Sequence, residues 1–369
     1  MPTLSLCMIV RNEEEVLARC LTCIKDAVDE IVIVDTGSLD LTQVIAKQFT
    51  SHVYHFSWID DFAAARNFAF SKATKDYIMW LDADDVLTSQ SAHALRQFMN
   101  TLNPSVEMVM MPYHVAFDSQ GTPTMSYERE RIVKRSVGYR WEGAIHEVIT
   151  PRGIIVHEDI PVLHKKIGPG DPDRNLRIFE KMAAEGSVLS PRDQFYFARE
   201  VMFHKQYDRA IGMLEDFIQS DRGWIENVLS ACRDLASCYQ ALNQMDKAKE
   251  ALIRTFIYDI PRAETLCQLG QLLFDQGRYD KAIFWYELAA SGKLPRPAGA
   301  FILPDCYGYI PYMQLCVCYD RLGDHEKAMQ MNDLAGEIKP NDPNYMANKA
   351  YFLQIHANAK QNEEKSKIE

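Results

Sequence analysis

Four stretches in the second half of the chain repeat one pattern: QYDRAIGMLEDF (206–217), QMDKAKEALIRTF (244–256), RYDKAIFWYELA (278–289) and DHEKAMQMNDLA (324–335). Each carries an alanine at the same phase, Ala210, Ala248, Ala282 and Ala328, in steps of 38, 34 and 46 residues. A period near 34 residues with helical spacing describes two antiparallel helices with a small residue where they pack. One such pair cannot cover its own apolar face, so copies must stack, which constrains residues 190–369 to an all-α array. The longest step exceeds one unit by 12 residues, a surplus assigned to the Pro/Gly-rich insert SGKLPRPAGAFILPDCYGY (291–309). Pro261, Pro295 and Pro340 fall 12 or 13 residues after a repeat alanine and read as terminators. Most aromatic residues of this half, among them Phe195, Tyr196, Tyr286 and Tyr319, are expected in the core. The polar tail NAKQNEEKSKIE reads as a frayed end.

The first half has a different rhythm. LSLCMIV (4–10) is almost wholly apolar, as a strand covered on both faces would be. EEEVLARCLTCIKDA (13–27) sets Val16, Leu17, Cys20, Leu21 and Ile24 at helical spacing. EIVIVDTGSLD (30–40) is a second strand with a Gly-Ser turn, LTQVIAKQF a second helix, and DYIMWLDADD (76–85) a further buried strand. Strand, helix and strand in alternation predict an α/β fold, a parallel sheet with helices on both faces.

In such sheets ligands bind beyond the carboxyl ends of the strands. Arg11, Asn12 and Glu14 follow the first strand, Asp35, Gly37 and Ser38 end the second, and Asp82 and Asp84 end a later one. The polar clusters therefore share one edge. No glycine-rich dinucleotide or P-loop cradle is present, so a bound diphosphate would be held through a cation. Mg²⁺ and Mn²⁺ take carboxylate and phosphate oxygens, and Asp82 and Asp84, two apart in an extended chain, are expected on one side. Asp85 reads as a solvated turn or a helix cap.

The 369 residues are 47% hydrophobic and 25% charged, ample for two folded domains, and the net charge of −11 argues against a nucleic-acid partner. No run approaches the roughly 20 apolar residues of a membrane span, and the N-terminus lacks a leader pattern. Nine unevenly spread cysteines, with a lone CxxC at Cys20 and Cys23 inside a helical pattern, indicate reduced, buried thiols and a cytoplasmic location.

LSLCMIVRNEEEVLARCL, EIVIVDTGSLDLT, FAAARNFA and MWLDADD together resemble family 2 glycosyltransferases of the GT-A fold, over roughly residues 3–170. The resemblance implies that the nucleoside of a UDP-sugar is held by Val10, Arg11, Asn12, Glu14, Asp35, Gly37, Ser38, Arg66 and Asn67. It also implies contacts from Asp82 and Ala83, with Asp84 the direct ligand of Mn²⁺ or Mg²⁺ and Asp82 nearer the ribose and metal waters. A plainer reading pairs Arg66 with Asp60 or Asp61. YRWEGAIHEVI (139–149) and IPVLHKKIGPGDPDRNL (160–176) are similar to the acceptor side of such enzymes. Trp141 would stack a sugar or wall the donor pocket, and Glu142, His146 and Glu147 are the candidate bases. His164 is placed as a third metal ligand, and Lys165 or Lys166, in a loop hinged at Gly168 and Gly170, would reach the diphosphate.

The whole chain resembles the sublancin-type peptide S-glycosyltransferases, with a GT-A domain at 1–168, a linker and connecting helix at 169–189, and tetratricopeptide-like repeats at 190–369. That resemblance implies an inverting, metal-dependent transfer to a peptide or protein, to a cysteine thiol of a bacteriocin precursor, and a homodimer through the repeats. The alternatives are O-glycosylation of protein hydroxyls or envelope glycans, and a non-catalytic repeat scaffold on a degenerate transferase fold.

Overall fold

The computed structural model describes residues 1–118, 120–168, 170–293 and 302–366. LSLCMIV forms β1 (Leu4–Val10), followed by α1 (Leu17–Ile24), β2 (Glu30–Asp35), α2 (Thr42–Phe49), β3 (Val53–His55), α3 (Phe62–Lys72), β4 (Tyr77–Trp80), β5 (Asp85–Val86) and α4 (Ser89–Thr101). Long strands β6 (Met108–Phe117) and β7 (Pro123–Lys134) come next, then β8 (Trp141–Glu142), β9 (Val148–Ile149), β10 (Ile155–His157) and β11 (Val162–His164). α5 (Arg174–Ala184) and α6 (Pro191–Phe203) close this part.

Among the described residues the main sheet runs β3-β2-β1-β4-β7-β6-β11-β5, with β10 also on β6. β1 pairs in parallel with β2 and β4, and β2 with β3. The sheet is mixed, because β7 joins β4 antiparallel and β5 joins β11 antiparallel. The expectation of a parallel sheet is thus corrected at the β4–β7 and β11–β5 pairs, whereas β10 and β11 pair in parallel with β6. Side chains alternate as the pleat requires. Leu4, Leu6, Met8 and Val10 meet α1 and α4 through Leu17, Cys20, Leu21, Ile24, Leu95 and Met99. Cys7, Val32, Val34, Ile78 and Trp80 face Ala63, Ala69 and Phe70 of α3 on the other side. Each buried Leu or Ile of α1 contributes about 1.5–3 kcal/mol, enough to hold a helix of two turns that would not persist alone.

Contacts divide the chain into two units, residues 1–118 and 125–200 in the first, and 201–293 with 302–366 in the second. The second holds α7 (Tyr207–Gln219), α8 (Ile225–Ala241), α9 (Met245–Tyr258), α10 (Ala263–Asp275), α11 (Tyr279–Ala290), α12 (Tyr309–Arg321), α13 (His325–Ile338) and α14 (Pro343–Ser366). Ala210, Ala248, Ala282 and Ala328 lie on α7, α9, α11 and α13 and are fully buried, as a packing position of a repeat must be. Five residues before each, the chain turns through a left-handed residue: Lys205 (φ 60°), Asn243 (φ 59°), Gly277 (φ 71°) and Gly323 (φ 82°). The following N–H then bonds back into the preceding helix, as Gln244 does to Tyr239 and Arg278 to Leu273.

Of the insert at 291–309, Pro295 and the rest of 294–301 lie outside the described residues. Beyond them, Leu303 N and Tyr307 Oη donate to the buried Glu264 of α10 at 3.2 and 2.8 Å. The tail read as frayed continues α14 to Ser366, because its Ala, Lys, Gln and Glu residues are good helix formers. Tyr286 and Phe195 are buried as expected, whereas Trp224 and Phe284 are exposed. Among the described residues no helix is long and apolar enough to cross a membrane.

Candidate active site

Parallel β1, β2 and β4 deliver their last residues to the same edge. Val10 and Ala83 are buried there, and Thr36 N donates to Val10 O at 3.0 Å. Asp35 ends β2 with 1% of its surface exposed. Its Oδ1 accepts from Gly37 N, Ser38 N and Gln43 Nε2 at 3.0, 3.1 and 3.0 Å, while the buried Oδ2 has no partner among the described residues. Gly37 at φ 107° is what lets the chain fold back onto that oxygen. Asn12 Oδ1 accepts from Leu39 N at 2.8 Å, and Glu14 Oε2 from Leu41 N at 2.8 Å. Both side chains brace the 37–42 loop. Arg11 is exposed beside them.

β4 stops at Trp80, and Asp82 to Asp85 form a turn closed by Asp85 N donating to Asp82 O at 3.1 Å. The extended geometry expected for Asp82 and Asp84 is therefore replaced by a turn that sends Asp82 to Arg66 and brings Asp84 and Asp85 together at His164. Asp82 Oδ1 accepts from Arg66 Nη2 at 2.7 Å. Among the described residues the Asp84 side chain touches only His164 Nδ1, at 3.3 Å. Asp85 is fully buried: it meets Arg131 Nη1 at 3.2 Å, Tyr113 Oη at 2.8 Å and His164 Nδ1 at 3.3 Å. Asp85 is neither a solvated turn residue nor a cap, since Thr88 caps α4. Asp84, Asp85 and His164 bring ligand atoms within 4.8 Å of one another, so the geometric cluster contains Asp85 where the sequence points to Asp82.

Arg66, buried on α3, donates from Nε to Glu147 Oε1 at 2.6 Å as well as to Asp82, and its guanidinium lies over Trp80 and Trp141 at 5.0 and 4.8 Å. It does not pair with Asp60, which holds Lys181, nor with Asp61, which caps α3. Burial alone would push Asp82 up, but the charge of Arg66 outweighs it and holds the carboxyl at about 2. Asn67 exchanges two 2.9 Å hydrogen bonds with the backbone of Trp141. Trp141 itself is 3% exposed and packs edge-on against Trp80 and Phe70, so its ring faces are covered rather than open to a sugar. Glu142 is exposed and accepts from Thr150 Oγ1. His146, at φ 51°, stacks on Tyr196 and meets Glu200 Oε1 at 3.1 Å. Lys165 Nζ lies 3.4 Å over the Phe117 ring, its backbone N–H donating to Asp84 O. The hinge at Gly168 and Gly170 flanks Pro169, outside the described residues.

Residues 5–158 match the family model described as Glycosyl transferase family 2. Over that segment the chain is similar to family 2 glycosyl transferases. Residues 263–291, spanning α10 and α11, match the tetratricopeptide repeat. A TPR repeat-containing protein of Synechococcus elongatus is 35% identical over 162 residues, 44% of this chain and 39% of that protein. The SPbeta prophage-derived glycosyltransferase SunS of Bacillus subtilis is 26% identical over 234 residues, 59% of this chain and 54% of that one. An uncharacterized glycosyltransferase of Rickettsia felis is 33% identical over 90 residues, 24% of this chain and 31% of that one. The chain thus spans about half or less of the length of these relatives.

Four residues of the segment 5–158 escape a reading of the sequence. Glu13 is one: burial, then the charges of Asp84, Asp82 and Asp40, raise its carboxyl from 4.5 to about 7. Asp85, Tyr113 and Arg131 are the others. Arg131 lies fully buried on β7 between the Trp80 and Tyr113 rings at 3.8 and 4.2 Å. The alternating charges of YERERIVK resemble a solvated strand, and only the insertion of β7 beside β4 buries them. Cys20 and Cys23 are free thiols raised by burial, which excludes a ready thiolate in the CxxC.

Proposed function

We propose that this chain moves a sugar from a UDP-sugar to a peptide or protein, with a cysteine thiol as acceptor. The observation that carries the reading is the buried Asp35 with one oxygen unpartnered, at the same sheet edge as the Asp82–Asp85 turn. A desolvated carboxylate oxygen costs free energy until a donor meets it, and a uracil N–H or a ribose hydroxyl is such a donor. Asp84 and His164 suit a hard divalent ion of the Mn²⁺ or Mg²⁺ kind, which when bound would offset the charge of the departing diphosphate.

The chain's own groups do the positioning. Arg66 holds Asp82 at the rim and Glu147 behind it. Glu147 is the candidate base that these contacts connect to the rim, and it accepts the acceptor's proton. A thiol, with a reference pKa of about 8.5, asks little of that base. The stacked helices offer an extended surface for the acceptor chain or for a second copy.

The test is mass spectrometry of candidate peptides, each with Cys→Ser and Ser→Ala versions, incubated with several UDP-sugars and Mn²⁺. A hexose added only where the cysteine is retained supports the reading. Addition to the Cys→Ser peptide would move the acceptor to a hydroxyl. Thermal melting with UDP and Mn²⁺ should exceed melting with UDP and chelator, since a ligand that binds only the folded chain stabilises it. Equal melting temperatures would favour a scaffold without catalysis.

A further inference from the structure

Asp85 differs from its neighbours in how completely its oxygens are used. Oδ2 accepts from Arg131 Nη1 at 3.2 Å and from Asp82 N at 3.1 Å. Oδ1 accepts from Tyr113 Oη at 2.8 Å and meets His164 Nδ1 at 3.3 Å. Four partners fill the four lone-pair directions of a carboxylate, so an ion could take Asp85 only by breaking one of them. Asp84, by contrast, commits its side chain to His164 alone among the described residues. Tyr113 fixes the direction of the chain. Its single hydroxyl hydrogen goes to Asp85, so toward His164 Nδ1, 2.9 Å away, its oxygen can only accept. The hydrogen of that contact then sits on Nδ1, and Nε2 makes no hydrogen bond among the described residues.

We propose that Arg131, Tyr113 and Asp85 form a positioning device for His164, fixing the ring with its hydrogen on Nδ1 and keeping Nε2 for a divalent cation. Asp85 is thus a positioning residue, and Asp84 and His164 are the ligands. The proposal rests on the metal-dependent reading above. A carboxylate that orients a metal-binding imidazole from behind raises its basicity and restricts its rotation, and losing such a partner typically weakens metal affinity by about 10–100-fold. Arg131, clamped between two rings, holds the carboxylate in place at a site no solvent reaches. The two ends of the device come from distant parts of the chain, β7 and the β5–β11 pair, so its assembly depends on the folded sheet.

The test is Mn²⁺ titration of the full chain, followed by electron paramagnetic resonance, for the native protein, Tyr113→Phe, Asp85→Asn, Asp84→Asn and His164→Gln. Tyr113→Phe removes one hydroxyl that is no ligand and should raise the Mn²⁺ dissociation constant about tenfold. Asp85→Asn should weaken binding to a similar degree while the ¹⁴N coupling of a bound imidazole persists in pulsed spectra. His164→Gln should remove that coupling, and Asp84→Asn should cost the most affinity. An unchanged dissociation constant in Tyr113→Phe would overturn the proposal, as would loss of binding in Asp85→Asn as complete as in Asp84→Asn. Should Asp85→Asn fail to fold, the Tyr113→Phe constant decides alone. Native protein that binds no Mn²⁺ would overturn the metal reading and this proposal with it. Native binding unaffected by Tyr113→Phe would overturn the proposal only.

Discussion

Asp84 ties its side chain to His164 alone among the described residues, whereas Arg66 bonds two carboxylates and lies over two indole rings. That contrast predicts different outcomes for the two. Asp84→Ala removes one contact from a partly exposed turn, so stability should change by no more than about 0.5 kcal/mol. Sugar transfer should fall at least about a hundredfold, measured as product per time by mass spectrometry. Arg66→Met, by contrast, leaves Asp82 and Glu147 without their partner and should destabilise the chain by about 3 kcal/mol in urea unfolding. Asp35 and Asp84 were legible in the sequence because a carboxylate that ends an apolar strand has few reasons to be there. Asp85, Arg131 and Tyr113 were not, since the partners that assemble them lie 28, 46 and 51 residues apart in the chain and leave no local periodicity.

At the scale of elements, the helix pairs show how a repeat tolerates different residues at one strained position. Gly277 and Gly323 take the left-handed turn freely, while Lys205 takes it with a Cβ in the way. Lys205→Gly should therefore raise stability, by about 1 kcal/mol, seen as a higher urea midpoint with an unchanged slope. A lower midpoint would mean that the lysine side chain contributes more than its backbone costs. The repeats and the strands β1 and β2 were readable because burial on both sides, or an alanine at fixed phase, writes itself into consecutive residues. β6 and β7 were missed as elements because half-buried antiparallel strands mix polar and apolar residues, and β5 and β8 to β10 are too short to carry a pattern. IPVL before His164, by contrast, reads as a strand and forms β11.

For the whole molecule, charge at the rim links folding to pH. Glu13 is raised from 4.5 to about 7, so its proton is held more tightly in the folded chain than in the unfolded one. The contribution is complete below about pH 4.5 and is lost as pH rises through 7. With chelator present, Glu13→Gln should flatten the decline in melting temperature across that window, and an identical pH profile in both proteins would reject the assignment. The same crowding of anions is relieved by a cation, so Mn²⁺ should narrow the difference between the two.

Trp80 and Trp141 meet edge to face with ring centres 4.9 Å apart and planes at 79°, two of the five tryptophans in the chain. Indoles held that close share their excited states, which gives them a paired signature in circular dichroism that isolated tryptophans lack. Arg66 lies against both rings and grips Asp82, so any pull on that carboxylate is transmitted to the chromophores. Under the proposed function this pair is an optical gauge of nucleotide arrival, readable without dye, label or coupled assay.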